Sequence, residues 1–294
     1  MTRLTAKDFD QELLDLYDHY AHGIITKREF LDRAAKWTVG GLTAGALLKM
    51  LSPDYALAQQ VSFTDPTIHA SYVHYDSPNG NGAVRAYRVQ PATGARFPVV
   101  VVVHENRGLN PYIEDVARRL AKAGYLALAP DGLTSVGGYP GNDEDGAALQ
   151  KQVDPVKLMN DFFAAVEVLL KDPESTGKVG IVGFCYGGGV VNAAAVAYPE
   201  LSAAVPFYGL QPKAEDVPRI QAPLLLHYAE LDTRITGGWP AYKAALDANH
   251  KVYEVFIYPG VNHGFHNDTT PRYDKAAAEL AWSRTLAWFG KYLA

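Results

Sequence analysis

The chain has 294 residues, 48% of them hydrophobic and 20% charged, with a formal net charge of -5 at pH 7. That length buries a sizeable core, as one α/β domain or one domain with an appendage, and lysines and arginines scattered along it exclude nucleic acid and an anionic membrane surface as partners. A single cysteine excludes an intramolecular disulfide and a four-cysteine metal site.

Residues 1–60 differ in style from the rest and are expected to form a separate N-terminal extension, with the main domain over 61–294. Between Asp8 and Tyr20, Leu13, Leu14, Leu16, Tyr17 and Tyr20 recur at helical spacing, and Thr26 with Glu29 has the form of a capping box. A second reading competes. Lys27-Arg28 precedes the small and apolar stretch from Trp37 to Leu48 and then Ala56-Leu57-Ala58, as in a twin-arginine export signal with lysine in the first place. The long acidic lead, Lys49 and Pro53-Asp54 disagree with export, so a retained cytoplasmic extension is slightly favoured over a periplasmic destination. The stretch is too short and too polar-flanked for a membrane span. Its apolar and aromatic residues suggest a surface for homo-oligomer formation.

From residue 61 onward strands and helices alternate. Tyr72–Tyr75 and Val84–Val89 flank a turn-forming cluster and predict an antiparallel pair at a sheet edge. Val99–Val103 suits a strand buried on both faces. Helix is expected over 112–122, strand over 125–129, and a loop over 130–146 at the C-terminal edge of the sheet, where such folds place their sites. Helix over 156–170, strand 179–182, helix 186–197, strands 203–208 and 223–228, helix 239–248, strand 252–258 and helix 273–292 complete the chain. The pattern is that of a doubly wound, mostly parallel sheet with helices on both faces.

The strand expected at 179–182 runs into Gly183-Phe184-Cys185-Tyr186-Gly187-Gly188-Gly189 and then an alanine-rich helix. This is the strand, sharp turn and helix of a nucleophile elbow, with cysteine at its tip. Gly183 and Gly187 remove side chains that would collide in so tight a turn. The start of a helix also favours a thiolate and offers N–H groups to a developing oxyanion.

A thiol wants a base, and the base an orienting acid. Asp232 stands just beyond the strand expected at 223–228, and His263 just beyond that at 252–258, in the order nucleophile, acid, histidine of an α/β-hydrolase. Glu230 competes with Asp232; His266 and His250 compete with His263, and His227 reads as a packed strand residue. After the first buried strand comes His104-Glu105-Asn106-Arg107. There the fold supplies its second oxyanion N–H, from Asn106, to join that of Tyr186, and Glu105 would point towards Cys185 and shape its ionisation.

With these residues in place, residues 70–293 resemble the dienelactone hydrolase family, the carboxymethylenebutenolidases. The resemblance implies a single α/β-hydrolase domain in which Cys185 attacks an enol-lactone carbonyl. It also implies that His263 and Asp232 support the attack and that Glu105 controls the thiol proton before substrate binds. The family's carboxylate-binding arginines have no match: Asn267 stands where one is expected, and between Pro130 and Val153 the only cation is Lys151. Arg107, His266 and Asn267 are the candidate substrate contacts. The expected activity is hydrolysis of lactones or small esters without a cofactor or metal. Thioesterase or peptidase chemistry on the same site, or an idle hydrolase fold used for binding or assembly, are the alternatives.

Overall fold

The structure, a computed structural model, describes residues 3–38 and 40–294; Val39, inside the apolar stretch from Trp37 to Leu48, lies outside the described residues. Three short helices open the chain: α1 (Gln11–Ala21), α2 (Lys27–Ala34) and α3 (Ala44–Leu51). The capping box at Thr26 and Glu29 starts α2. Leu13, Leu14, Tyr17, Phe30, Leu47 and Leu51 pack into a small core of their own. No helix among the described residues is long and apolar enough to cross a membrane.

Next come β1 (Ile68–Ser77), β2 (Gly82–Pro91), β3 (Phe97–Val103), α4 (Pro111–Lys122), β4 (Leu126–Pro130), α5 (Asp143–Gln150), α6 (Pro155–Lys171) and β5 (Ser175–Phe184). The chain continues through α7 (Tyr186–Ala197), β6 (Ala203–Phe207), β7 (Leu224–Ala229), α8 (Thr233–Thr236), α9 (Trp239–Ala248), β8 (Tyr253–Tyr258) and α10 (Lys275–Leu293). The strands form one eight-stranded sheet in the order β1-β2-β4-β3-β5-β6-β7-β8. The β1–β2 and β2–β4 pairs are antiparallel, and the strands from β4 to β8 run parallel.

The pleat of β3 shows why five valines stand in a row. Val99, Val101 and Val103 face the core that α6, α7 and α9 cover, while Val100 and Val102 face the core under α4 and α10. At β3 the sheet is therefore apolar on both faces. The segment from Pro130 to Gly146 is not loop throughout: it holds a 3-10 turn at Thr134–Val136 and the start of α5. Asn142 caps that helix by accepting from the Asp145 N–H at 2.9 Å, and three acids favour its first turn, a local signal that outweighs the glycines.

Candidate active site

Three loops at the C-terminal ends of β3, β7 and β8 converge with the turn between β5 and α7. Cys185 has φ 59° and ψ -114°, a conformation an L-residue holds only when its surroundings enforce it. The surroundings are backbone. A Cβ on Gly183 would lie 2.3 Å from the Gly187 carbonyl oxygen, and one on Gly187 would lie 2.4 Å from that of Val103. The Cys185 N–H donates to the Phe207 carbonyl at 3.1 Å, which ties the elbow to β6. Phe207 and Tyr208 lead out of that strand, and Tyr208 is a second residue with positive φ, at 38°. Its buried ring lies 4.8 Å, centroid to centroid, from that of His263.

Asp232 Oδ2 lies 2.5 Å from His263 Nδ1, both residues are buried, and among the described residues Nε2 of His263 has no hydrogen-bond partner. Glu230 is engaged elsewhere, accepting from the Gly260 N–H at 2.7 Å. His227 is a core residue between Thr285 and Tyr258, at 3.1 and 3.0 Å, and burial, with Arg284 nearby, pushes it down to about 3. His266 bonds the Tyr112 hydroxyl at 2.7 Å and stacks on Phe184, and burial holds it well below the ordinary histidine range.

Glu105 is buried, and its Oε2 accepts from Asn267 Nδ2 at 3.2 Å; among the described residues no hydrogen bond joins it to the Cys185 sulfur. The thiol's partner is a residue that no sequence pattern singles out. His22, just past the end of α1, places Nε2 3.1 Å from Cys185 Sγ. Its Nδ1 faces the Asp18 carbonyl at 2.8 Å and the Asp18 carboxylate at 3.2 Å. Asp18 in turn meets Arg272 at 3.0 Å and Arg234 at 3.7 Å. Burial would raise the Asp18 carboxyl, but His263, His22 and Arg272 hold it well below the usual carboxylate range. Burial likewise depresses His22, yet the Cys185 sulfur and Asp18 outweigh it and leave the imidazole above its ordinary value.

The N-terminal helices are fastened to these loops by polar contacts. Gln11 Nε2 donates to Asn262 Oδ1 at 2.6 Å, beside His263, and Asn106 Nδ2 donates to the Ala21 carbonyl at 2.9 Å. A ring nitrogen from each of His22 and His263 and the Cys185 sulfur lie within 4.8 Å of one another. Arg234 Nη2 stands 3.1 Å from His22 Nε2, and a fixed cation inside the cluster opposes a divalent ion there.

A cavity of about 920 Å³ lies between the N-terminal helices and the sheet edge. Tyr17, Tyr20, His22, Asn106, Arg107 and Tyr186 are among its walls; Cys185, His266 and Asn267 are not. Arg107 is buried and paired with Asp143 at 2.6 Å.

Comparison with known proteins agrees with this architecture. The model of the dienelactone hydrolase family matches residues 84–293, and that of a family described as YqhI-like matches residues 1–36. A provisionally named hydrolase fragment from Escherichia coli (strain K12) is 70% identical over 115 residues, 39% of this chain and 98% of its own length. A provisionally named carboxymethylenebutenolidase from Methylorubrum extorquens is 33% identical over 230 residues, 73% of this chain and 79% of its own. Among solved structures, a provisionally named dienelactone hydrolase from Klebsiella pneumoniae superposes with a TM-score of 0.67 at 28% identity, covering 76% of this chain and 99% of that one.

Proposed function

The chain belongs to the dienelactone hydrolase family, and from that premise we propose that it hydrolyses lactones or small carboxylic esters with Cys185 as nucleophile. The observation that carries this reading is the strained elbow, which holds Cys185 at the start of α7 beside the Tyr186 wall of the cavity. The sulfur attacks the acyl carbon, and the backbone N–H groups of Tyr186 and Asn106 hold the oxyanion. The C–O bond breaks, and the proton that began on the thiol ends on the departing oxygen. His263, oriented by Asp232, takes a proton from water as the water oxygen attacks the thioester; the C–S bond breaks and the thiolate returns.

The cavity argues for a substrate without a free carboxylate. Its walls are largely aromatic and aliphatic, Arg107 and Lys27 already have anionic partners in Asp143 and Glu144, and the other lining cations, Lys49 and Lys151, are exposed to solvent. Aryl esters and neutral lactones are therefore the preferred class, with thioesters a second class that the same elbow serves. Turnover of a panel of these by wild type and Cys185→Ala tests the mechanism: the variant is expected to lose at least about a thousandfold in kcat. Undiminished turnover in the variant would sink it.

A further inference from the structure

We propose that His22, carried by the N-terminal segment, takes the thiol proton of Cys185, so that the active site is a composite of two parts of the chain. The proposal rests on Cys185 being the nucleophile and adds to it the origin of the thiolate. Five observations carry it. His22 Nε2 lies 3.1 Å from the sulfur, whereas His263 Nε2 has no hydrogen-bond partner among the described residues. Among the described residues Nδ1 of His22 faces only oxygens of Asp18, which makes it the protonated nitrogen and leaves on Nε2 a lone pair that the thiol and the Arg234 guanidinium both face at 3.1 Å. Asp18 is locked by Arg272 at 3.0 Å, so the imidazole is held by an orienting acid, as His263 is by Asp232. The loop bearing His22 is pinned by the contacts of Asn106 to Ala21 and Gln11 to Asn262. Residues 1–36, which include both Asp18 and His22, match a different family model from the one that matches the rest of the site.

The charged and titratable groups around His22 divide in sign. Asp18 on its own helix and the Cys185 sulfur favour the imidazolium; His263 beyond β8, Arg234 on α8 and Arg272 before α10 oppose it. The two histidines then divide the work. At rest the proton moves from Sγ to His22 Nε2, giving a thiolate and an imidazolium. As the C–S bond forms and the C–O bond breaks, the leaving oxygen takes that proton. His263 accepts the proton of the attacking water, and the C–S bond breaks to return the thiolate. The proton on His263 then passes to His22, and the acid product loses its own to solvent, which restores the starting state.

The chain has one cysteine, so the pH dependence of iodoacetamide alkylation of the full-length protein reads Cys185 alone, without turnover. His22→Gln is expected to move the midpoint up by about one unit or more, lowering the alkylation rate at pH 6.5 by roughly tenfold. Asp18→Asn moves it in the same direction by less, while His263→Gln abolishes turnover and moves the midpoint least. An unchanged midpoint in His22→Gln overturns the proposal, as does faster alkylation at every pH, which would make His22 a shield over the thiol. Should His22→Gln fail to fold by circular dichroism, Asp18→Asn decides on the same criterion. If Cys185 were not the nucleophile, Cys185→Ala would retain turnover whatever the alkylation midpoints, so the two readings fail separately.

Discussion

Asn267 donates its side-chain amide to the buried Glu105 carboxylate, 3.2 Å away, and accepts from the Thr269 N–H at 3.1 Å. A residue placed by sequence among the substrate contacts thus holds a buried acid just beyond β3 in position. Asn267→Ala leaves that carboxylate without its amide donor, and stability is expected to fall by about 1–3 kcal/mol. Urea unfolding checks this through a lower midpoint at constant slope. An unchanged midpoint with a raised KM would instead return Asn267 to the substrate.

The elbow's glycines make a graded prediction. Cβ atoms on Gly183 or Gly187 meet backbone carbonyls at 2.3 and 2.4 Å, and backbone cannot swing aside as a side chain can. Gly183→Ala and Gly187→Ala should each cost at least about 3 kcal/mol, the upper end for overpacking, and lose activity with it. Gly189, whose added Cβ would meet nothing nearer than 3.7 Å, should gain roughly 0.5–1 kcal/mol as alanine. Thermal unfolding of the three variants separates the cases; equal effects would contradict the steric account.

Asp143 neutralises Arg107 at the cavity wall and also accepts from Tyr55 at 2.6 Å. Asp143→Asn keeps an acceptor for the tyrosine but frees the guanidinium. KM for an ester bearing a carboxylate is expected to fall by about tenfold, the worth of roughly one charge-assisted contact, while KM for its neutral counterpart stays put. Parallel shifts in both would mean that Arg107 does not face the substrate.

The buried histidines are expected to set the acid limit of the fold. His227 in β7 is pushed down to about 3, first by burial and then by Arg284. The unfolded chain therefore binds a proton near pH 6.5 that the folded core refuses until about pH 3. Stability is complete above the unfolded value and falls with decreasing pH, by up to about 2 kcal/mol between pH 6.5 and 5 from this residue. His104 and His266, also lowered by burial, add to the slope. Denaturant melts at pH 7 and 5 should show a smaller difference in His227→Gln than in wild type; identical differences would place the acid sensitivity elsewhere.

The strands from β3 to β7 were legible because a sheet covered on both faces demands unbroken apolar runs, and those of Val99–Val103 and Leu224–Leu226 admit few other structures. The glycine-framed elbow and the loop positions of Asp232 and His263 followed from the same alternation, since a parallel sheet delivers all its strand ends to one edge. The helix at Asp143–Gln150 was missed because glycines around it masked a capping signal at Asn142. What the tertiary structure alone decided is the partner of the thiol. His22 is 163 positions from Cys185, and no periodicity or spacing relates a helix end to a strand end so far away. Their meeting depends on how one small helical core docks on the edge of another, through side chains such as Gln11 and Asn262 that carry no pattern until the surfaces are folded.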